Sequence, residues 1–154
     1  MENKFNHKIE KIAVSSIRQF DAEASAIPGI IKLTLGEPDF NTPEHIKEAA
    51  KKAIDDNLSH YTPNAGIPEL REATAAYFNE KYNLHYKPSQ VITTIGATEG
   101  IATALQTIMN PGDTLIMPTP VFPIYAPISE INDGNVVTVD TSADGFVLTP
   151  ERLR

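Results

Sequence analysis

The run Ile95-Gly96-Ala97-Thr98-Glu99-Gly100 leads from a β-branched stretch into a helical one through small residues. Backbone N–H groups at such a helix start, together with the Thr98 hydroxyl, form an anion cradle of the kind that holds phosphate. The run matches neither a P-loop nor the dinucleotide fingerprint GxGxxG. Taken alone, it reads more simply as an ordinary tight strand-to-helix turn in which Thr98 and Glu99 act as local caps. A second run, Pro118-Thr119-Pro120-Val121-Phe122-Pro123-Ile124-Tyr125, holds three prolines. They predict a rigid loop, neither regular helix nor interior strand, that presents Phe122 and Tyr125. An aromatic face beside a phosphate cradle suits a flat, phosphorylated ring. The same Phe122 serves as well for a core anchor.

Other reactive residues are scattered. Glu37 and Asp39 lie close together but have no partner that completes a general acid–base pair. His7, His45, His60 and His85 form no ligand-spaced pair, and there is no cysteine, so neither a catalytic metal nor a disulfide framework is expected.

The elements that must carry these residues follow from periodicity and turn chemistry. Ile9, Ile12, Ala13, Ile17, Phe20 and Ala24 recur at helical spacing over residues 9–27, and Pro28-Gly29 ends the segment. Residues 30–35 alternate well enough for a short strand, which Gly36-Glu37-Pro38-Asp39 breaks. Thr42 as N-cap, Pro43 at the first position and Glu44 in the first turn announce a helix. Its stripe is Ile46, Ala49, Ala50, Ala53 and Ile54. A second helix over 68–82 is expected to turn Leu70, Ala73, Tyr77 and Phe78 inward.

Residues 91–95 predict a buried strand. The helix after Gly96 carries Ile101, Leu105 and Ile108 on one face. Asn110-Pro111-Gly112-Asp113 has the proline and glycine placement of a type II turn. Strands over 115–117 and 136–139 complete an alternation that points to an α/β fold with a largely parallel sheet. In such a sheet, ligands sit outside the carboxyl ends of the strands, where both the Gly96 and Phe122 loops emerge. Thr149-Pro150-Glu151 repeats a helix-start signature shortly before Arg154, so the sequence reads as part of a longer one.

Composition narrows the classes further. At 154 residues, 41% hydrophobic and 21% charged, the chain suits one globular domain. A formal net charge of −7, without a lysine or arginine block, argues against nucleic acid or an anionic membrane as partner. No apolar run spans a bilayer and no signal peptide is evident, so a cytoplasmic location is the default.

The combination of runs carries more than any one of them. Leu35-Gly36-Glu37-Pro38-Asp39-Phe40-Asn41-Thr42-Pro43 is followed by Tyr61-Thr62-Pro63-Asn64-Ala65-Gly66-Ile67-Pro68-Glu69-Leu70-Arg71. Then come Gly96-Ala97-Thr98-Glu99, Pro111-Gly112-Asp113 and Pro120-Val121-Phe122-Pro123-Ile124-Tyr125. In order and spacing this resembles the class I/II aminotransferases along nearly the whole chain. With Ile17-Arg18-Gln19-Phe20, it looks most like the branch of N-acetyl-diaminopimelate and aromatic aminotransferases.

The resemblance implies the N-terminal portion of a fold type I, pyridoxal-phosphate-dependent transferase. Residues 1–40 would form an arm and the start of a small domain, and 41–154 the first part of the large cofactor-binding domain. It implies a homodimer that moves an amino group between an amino acid and a 2-oxo acid. By analogy, Ala97 and Thr98 contact the cofactor phosphate and Phe122 stacks on the ring. Tyr61 reaches the phosphate of the partner subunit. Gly36 lets its backbone approach the substrate carboxylate, and Ile17 helps roof the substrate pocket.

The family also needs a Schiff-base lysine, an aspartate on the pyridine nitrogen, an asparagine on the ring hydroxyl and a late arginine. The last lysine here is Lys87, before the cradle. No catalytic residue is therefore assigned, and the segment alone is expected to be inactive. Three other readings are a lyase or synthase of the same fold, a non-catalytic aminotransferase-like ligand-binding domain, and a phosphate-binding module unrelated to pyridoxal phosphate.

Overall fold

The computed structural model describes residues 4, 6–10, 12 and 16–154. Ala13, part of the first helical pattern, lies outside them. Six α-helices and two strands are assigned among the described residues: α1 (His7–Glu10), α2 (Ser16–Ser25), α3 (Glu44–Asp55), α4 (Pro68–Tyr82), α5 (Gly96–Ile108), β1 (Thr114–Thr119), α6 (Tyr125–Ile131) and β2 (Asn135–Asp140). Short 3-10 turns cover Pro88–Gln90 and Ser142–Asp144. The chain divides into two compact units, one of residues 1–23 with 95–154, the other of residues 24–94.

In the first unit, β1 and β2 pair in parallel from Thr114 opposite Asn135 to Thr119 opposite Asp140. The turn before β1 forms as its residues dictate: the Asp113 N–H donates to the Asn110 carbonyl at 3.0 Å, and Gly112 has φ +90°. Both strands outrun the expected 115–117 and 136–139, and β1 takes in Pro118 and Thr119. That corrects the loop expected from Pro118 onward. A strand paired on one side only leaves alternate N–H groups without partners, and a proline is tolerated there. The loop proper is residues 120–124, because α6 begins at Tyr125.

The connection from α6 to β2 is the tightest part of the unit. Ser129 is fully buried, and its backbone carbonyl accepts from the Gly134 N–H at 2.9 Å. A Cβ at Gly134 would lie 2.5 Å from the Ser129 hydroxyl and 3.1 Å from its carbonyl, so only glycine fits without movement. After β2, the Ser142 backbone N–H donates to Asp140 at 2.9 Å. That bond, then the Ser142 hydroxyl and the Arg152 charge, hold the Asp140 carboxyl below its ordinary range. The contribution is therefore present above the ordinary carboxylate pKa and lost as pH falls through the lowered one.

In the second unit, α4 starts at Pro68 as expected and ends on Asn83 in the left-handed conformation. The start of α3 is one residue later than its signature suggests. Pro43 occupies the cap position, its carbonyl accepts from Ile46 and Lys47, and no side chain caps the helix. Residues 30–35 and 91–95 are not strands. Val91 is extended, with φ −104° and ψ 130°. Extension alone does not make a ladder, and these segments meet no neighbouring strand among the described residues.

The expected inward stripes are also left open. Ile46 and Ile54 on α3, Leu70, Ala73, Tyr77 and Phe78 on α4, and Ile108 on α5 are exposed. Tyr77, Phe78 and Tyr82 instead contact one another, ring against ring, with the Lys81 ammonium over two of them. The buried apolar residues among those described are Ala24, Ala75, Met117 and Ile128. At residues 150–153 the chain makes a turn rather than the helix its signature suggests, with Arg152 N–H donating to the Thr149 carbonyl. No described helix is long and apolar enough to cross a membrane.

Candidate functional site

In the first unit the cradle residues sit at the opening of α5. Gly96 begins the helix with φ +79°, a conformation costly for any residue with a side chain. A Cβ there would meet nothing within 4 Å, so backbone conformation and not space asks for glycine. Glu99 reaches back one turn, and its carboxylate accepts the Ile95 N–H. The capping role offered as the plainer reading of this run is thus filled by Glu99. Ala97 and Thr98 are exposed. The N–H groups of Ala97 and Thr98 lie in the first turn, where an α-helix supplies no intrahelical acceptor, beside the exposed Thr98 hydroxyl. This arrangement fits a phosphate, with neutral donors and the positive end of a helix dipole.

Phe122, 58% exposed, stands in the loop after β1. Its root is held by Thr141, which is 2% exposed and was not singled out by sequence reasoning. The Thr141 backbone N–H and hydroxyl both donate to the Thr119 carbonyl, at 3.1 and 2.8 Å. The carboxyl ends of β1 and β2 are thereby locked together where the loop departs. Ile17, in α2, also belongs to this unit and is partly exposed.

Tyr61 and Gly36 belong to the second unit. Tyr61 is fully exposed and, with Ser59 and His60, lines a shallow depression of about 490 Å³. The loop that carries it is fastened at its far end. The Thr93 N–H donates to the Ala65 carbonyl at 3.0 Å, and Gly66, at φ +95°, lies so close to Thr93 that a Cβ would sit 2.8 Å from the Thr93 Cβ. Arg71 completes the fastening: its Nε donates to the carbonyls of Val91 and Pro88 at 2.9 and 3.0 Å. Two residues of the run 61–71, Gly66 and Arg71, therefore tie the Tyr61 loop to the segment that leads into the cradle. The left-handed glycine was a visible signal of this. The Arg71 contacts, made across 17 and 20 residues, had none.

Gly36 differs from Gly66. Its φ is not in the left-handed region, and a Cβ would meet nothing within 4 Å. Neither the backbone nor the packing of the described residues accounts for a glycine there. No group of three or more potential metal ligands is found among the described residues.

A family model described as aminotransferase class I and II matches residues 28–154. The probable N-acetyl-LL-diaminopimelate aminotransferase of Bacillus subtilis is 46% identical over 150 residues, covering 97% of this chain and 38% of the relative. The aromatic-amino-acid aminotransferase 2 of Thermococcus litoralis is 42% identical over 148 residues, covering 95% of this chain and 38% of the relative. Among solved structures, the aspartate aminotransferase of Thermus thermophilus with maleate superposes with a TM-score of 0.90 at 36% identity, over 97% of this chain and 40% of that one. The chain thus spans about two fifths of the length of the relatives it matches. The small parallel sheet with flanking helices corresponds to the N-terminal part of a fold type I aminotransferase. The chain belongs to the class I and II aminotransferases.

Proposed function

We propose that the whole protein transfers an amino group between an amino acid and a 2-oxo acid using pyridoxal phosphate, as a cytoplasmic homodimer, and that residues 1–154 supply part of its site. The observation that carries this reading is the exposed first turn of α5, opened by a glycine at φ +79° and followed by Ala97 and Thr98. Ala97 and Thr98 would hold the cofactor phosphate, and Phe122 would cover one face of its ring. Tyr61 would serve the phosphate of the partner subunit. Gly36 would leave room for the substrate carboxylate, and Ile17 would help roof the substrate pocket. Residues 1–40 would then be an arm and the start of the small domain, with the large domain beginning at 41.

The cofactor supplies an electron sink for the amino-acid carbon. What these residues do is bind, orient and exclude water. The lysine that transamination requires does not follow the cradle, since the last lysine is Lys87. Residues 1–154 alone are therefore inactive in this reading.

A chimera tests it. Residues 1–154 joined in frame to the remainder of the Bacillus subtilis relative should transaminate with added pyridoxal phosphate, while residues 1–154 alone should not. In the active chimera, Thr98→Val should weaken cofactor binding about tenfold, the loss of one hydrogen bond to a charged group. Phe122→Ala should weaken it roughly three- to tenfold. Activity of residues 1–154 alone would overturn their proposed inactivity, and unchanged cofactor affinity in both variants would overturn the cradle and ring-stacking roles.

A further inference from the structure

Among the described residues of the first unit, Lys8 makes side-chain contacts across 123 and 125 residues of sequence. Its ammonium donates to the Asp133 carboxylate at 2.7 Å and to the Ile131 backbone carbonyl at 3.1 Å. Both acceptors lie at the end of α6, so the cation meets a helix carbonyl that has no intrahelical donor and the negative end of the helix dipole. The acceptors are held before Lys8 arrives. Asp133 is left-handed at φ +59°; its N–H donates to the Glu130 carbonyl at 3.1 Å and its carbonyl accepts from Gly112 at 2.8 Å. Next in sequence is Gly134, pressed against Ser129.

We propose that the α6–β2 corner is a preformed receptor for the Lys8 ammonium, and that α1 is an electrostatic strap which it holds. The strap fastens α1 to the strand-bearing part of the unit through this two-point contact. Both partners are partly exposed, with side-chain accessibilities of 37% and 53%. The strap is therefore weak enough to open and close, and salt governs how often it does.

The chain has no cysteine, so Lys4→Cys provides a single attachment point for a nitroxide in the full 154-residue chain. The label should broaden the amide signals of residues 131–135 at about 0.01 M salt, and the broadening should fall about two- to fivefold at about 1 M. Lys8→Gln and Asp133→Asn should each produce the same fall at low salt and abolish the salt response. Asparagine tolerates the left-handed backbone, so the corner itself survives the second change. The double variant should broaden no less than either single one. The α4 amides report whether the remainder is intact; if Asp133→Asn disturbs them, Lys8→Gln and its salt response decide alone. Absence of broadening in the parent, or broadening indifferent to Lys8 and to salt, overturns the strap.

Discussion

Residues 109–141 and residues 28–43 carry similar ingredients: β-branched residues, prolines and glycines in short turns. They end in opposite conditions. In the first region each strand has a partner, Thr141 and Ser129 are buried, and Gly134 is fixed by contact on two sides. In the second, Ile31 and Leu33 are 87% and 92% exposed, no ladder forms, and Gly36 has nothing near its missing side chain. An apolar alternating stretch becomes a strand only where another backbone is available to pair with it. The second region has the pattern of a strand but lacks a partner among the described residues.

The largest test of this contrast is Gly134→Ala. The added methyl must displace the Met109 side-chain end and the Ser129 hydroxyl and crowd the Ser129 carbonyl, which should cost about 1–3 kcal/mol in urea unfolding. A loss below about 0.5 kcal/mol would mean the corner is looser than its distances indicate.

A smaller effect is expected from Thr141→Val, which keeps the backbone bond to Thr119 and deletes the hydroxyl one. Stability should fall by about 1 kcal/mol. In the active chimera the loop bearing Phe122 should lose order, read as faster amide exchange at Val121, Phe122 and Ile124 with α4 unchanged. Equal loosening of both would count against a local role for Thr141.

The smallest effect on stability belongs to Gly36→Ala, within about 0.5 kcal/mol, because nothing surrounds the new methyl. Activity separates the two regions here. If Gly36 faces the substrate carboxylate, the chimera carrying this change should show a raised KM for its amino donor with stability unaltered. A normal KM would remove Gly36 from the site.

The same contrast explains what could be read from the sequence. Helix α4 begins at Pro68, and Gly112 turns the chain before β1, because each signal acts within a few residues of itself. The strands expected over 30–35 and 91–95 depended on partners that no local pattern supplies. Among the proposed site residues, Thr98 and Phe122 stand out through their loops, and both are exposed side chains. Thr141 reaches back across 22 residues to Thr119, and Arg71 forward to Val91. Such pairs leave no periodic trace, so the residues that brace the candidate loops are invisible in the sequence while the loops themselves are not.

The β1–α6–β2 unit also has a temporal meaning. Its two strands follow one another along the chain with only α6 between them, so their pairing closes a short loop and carries a small entropic penalty. All the backbone that this pairing requires lies within residues 114–141. The root of the Phe122 loop is thus assembled from residues near to it in sequence, at a low loop-closure cost.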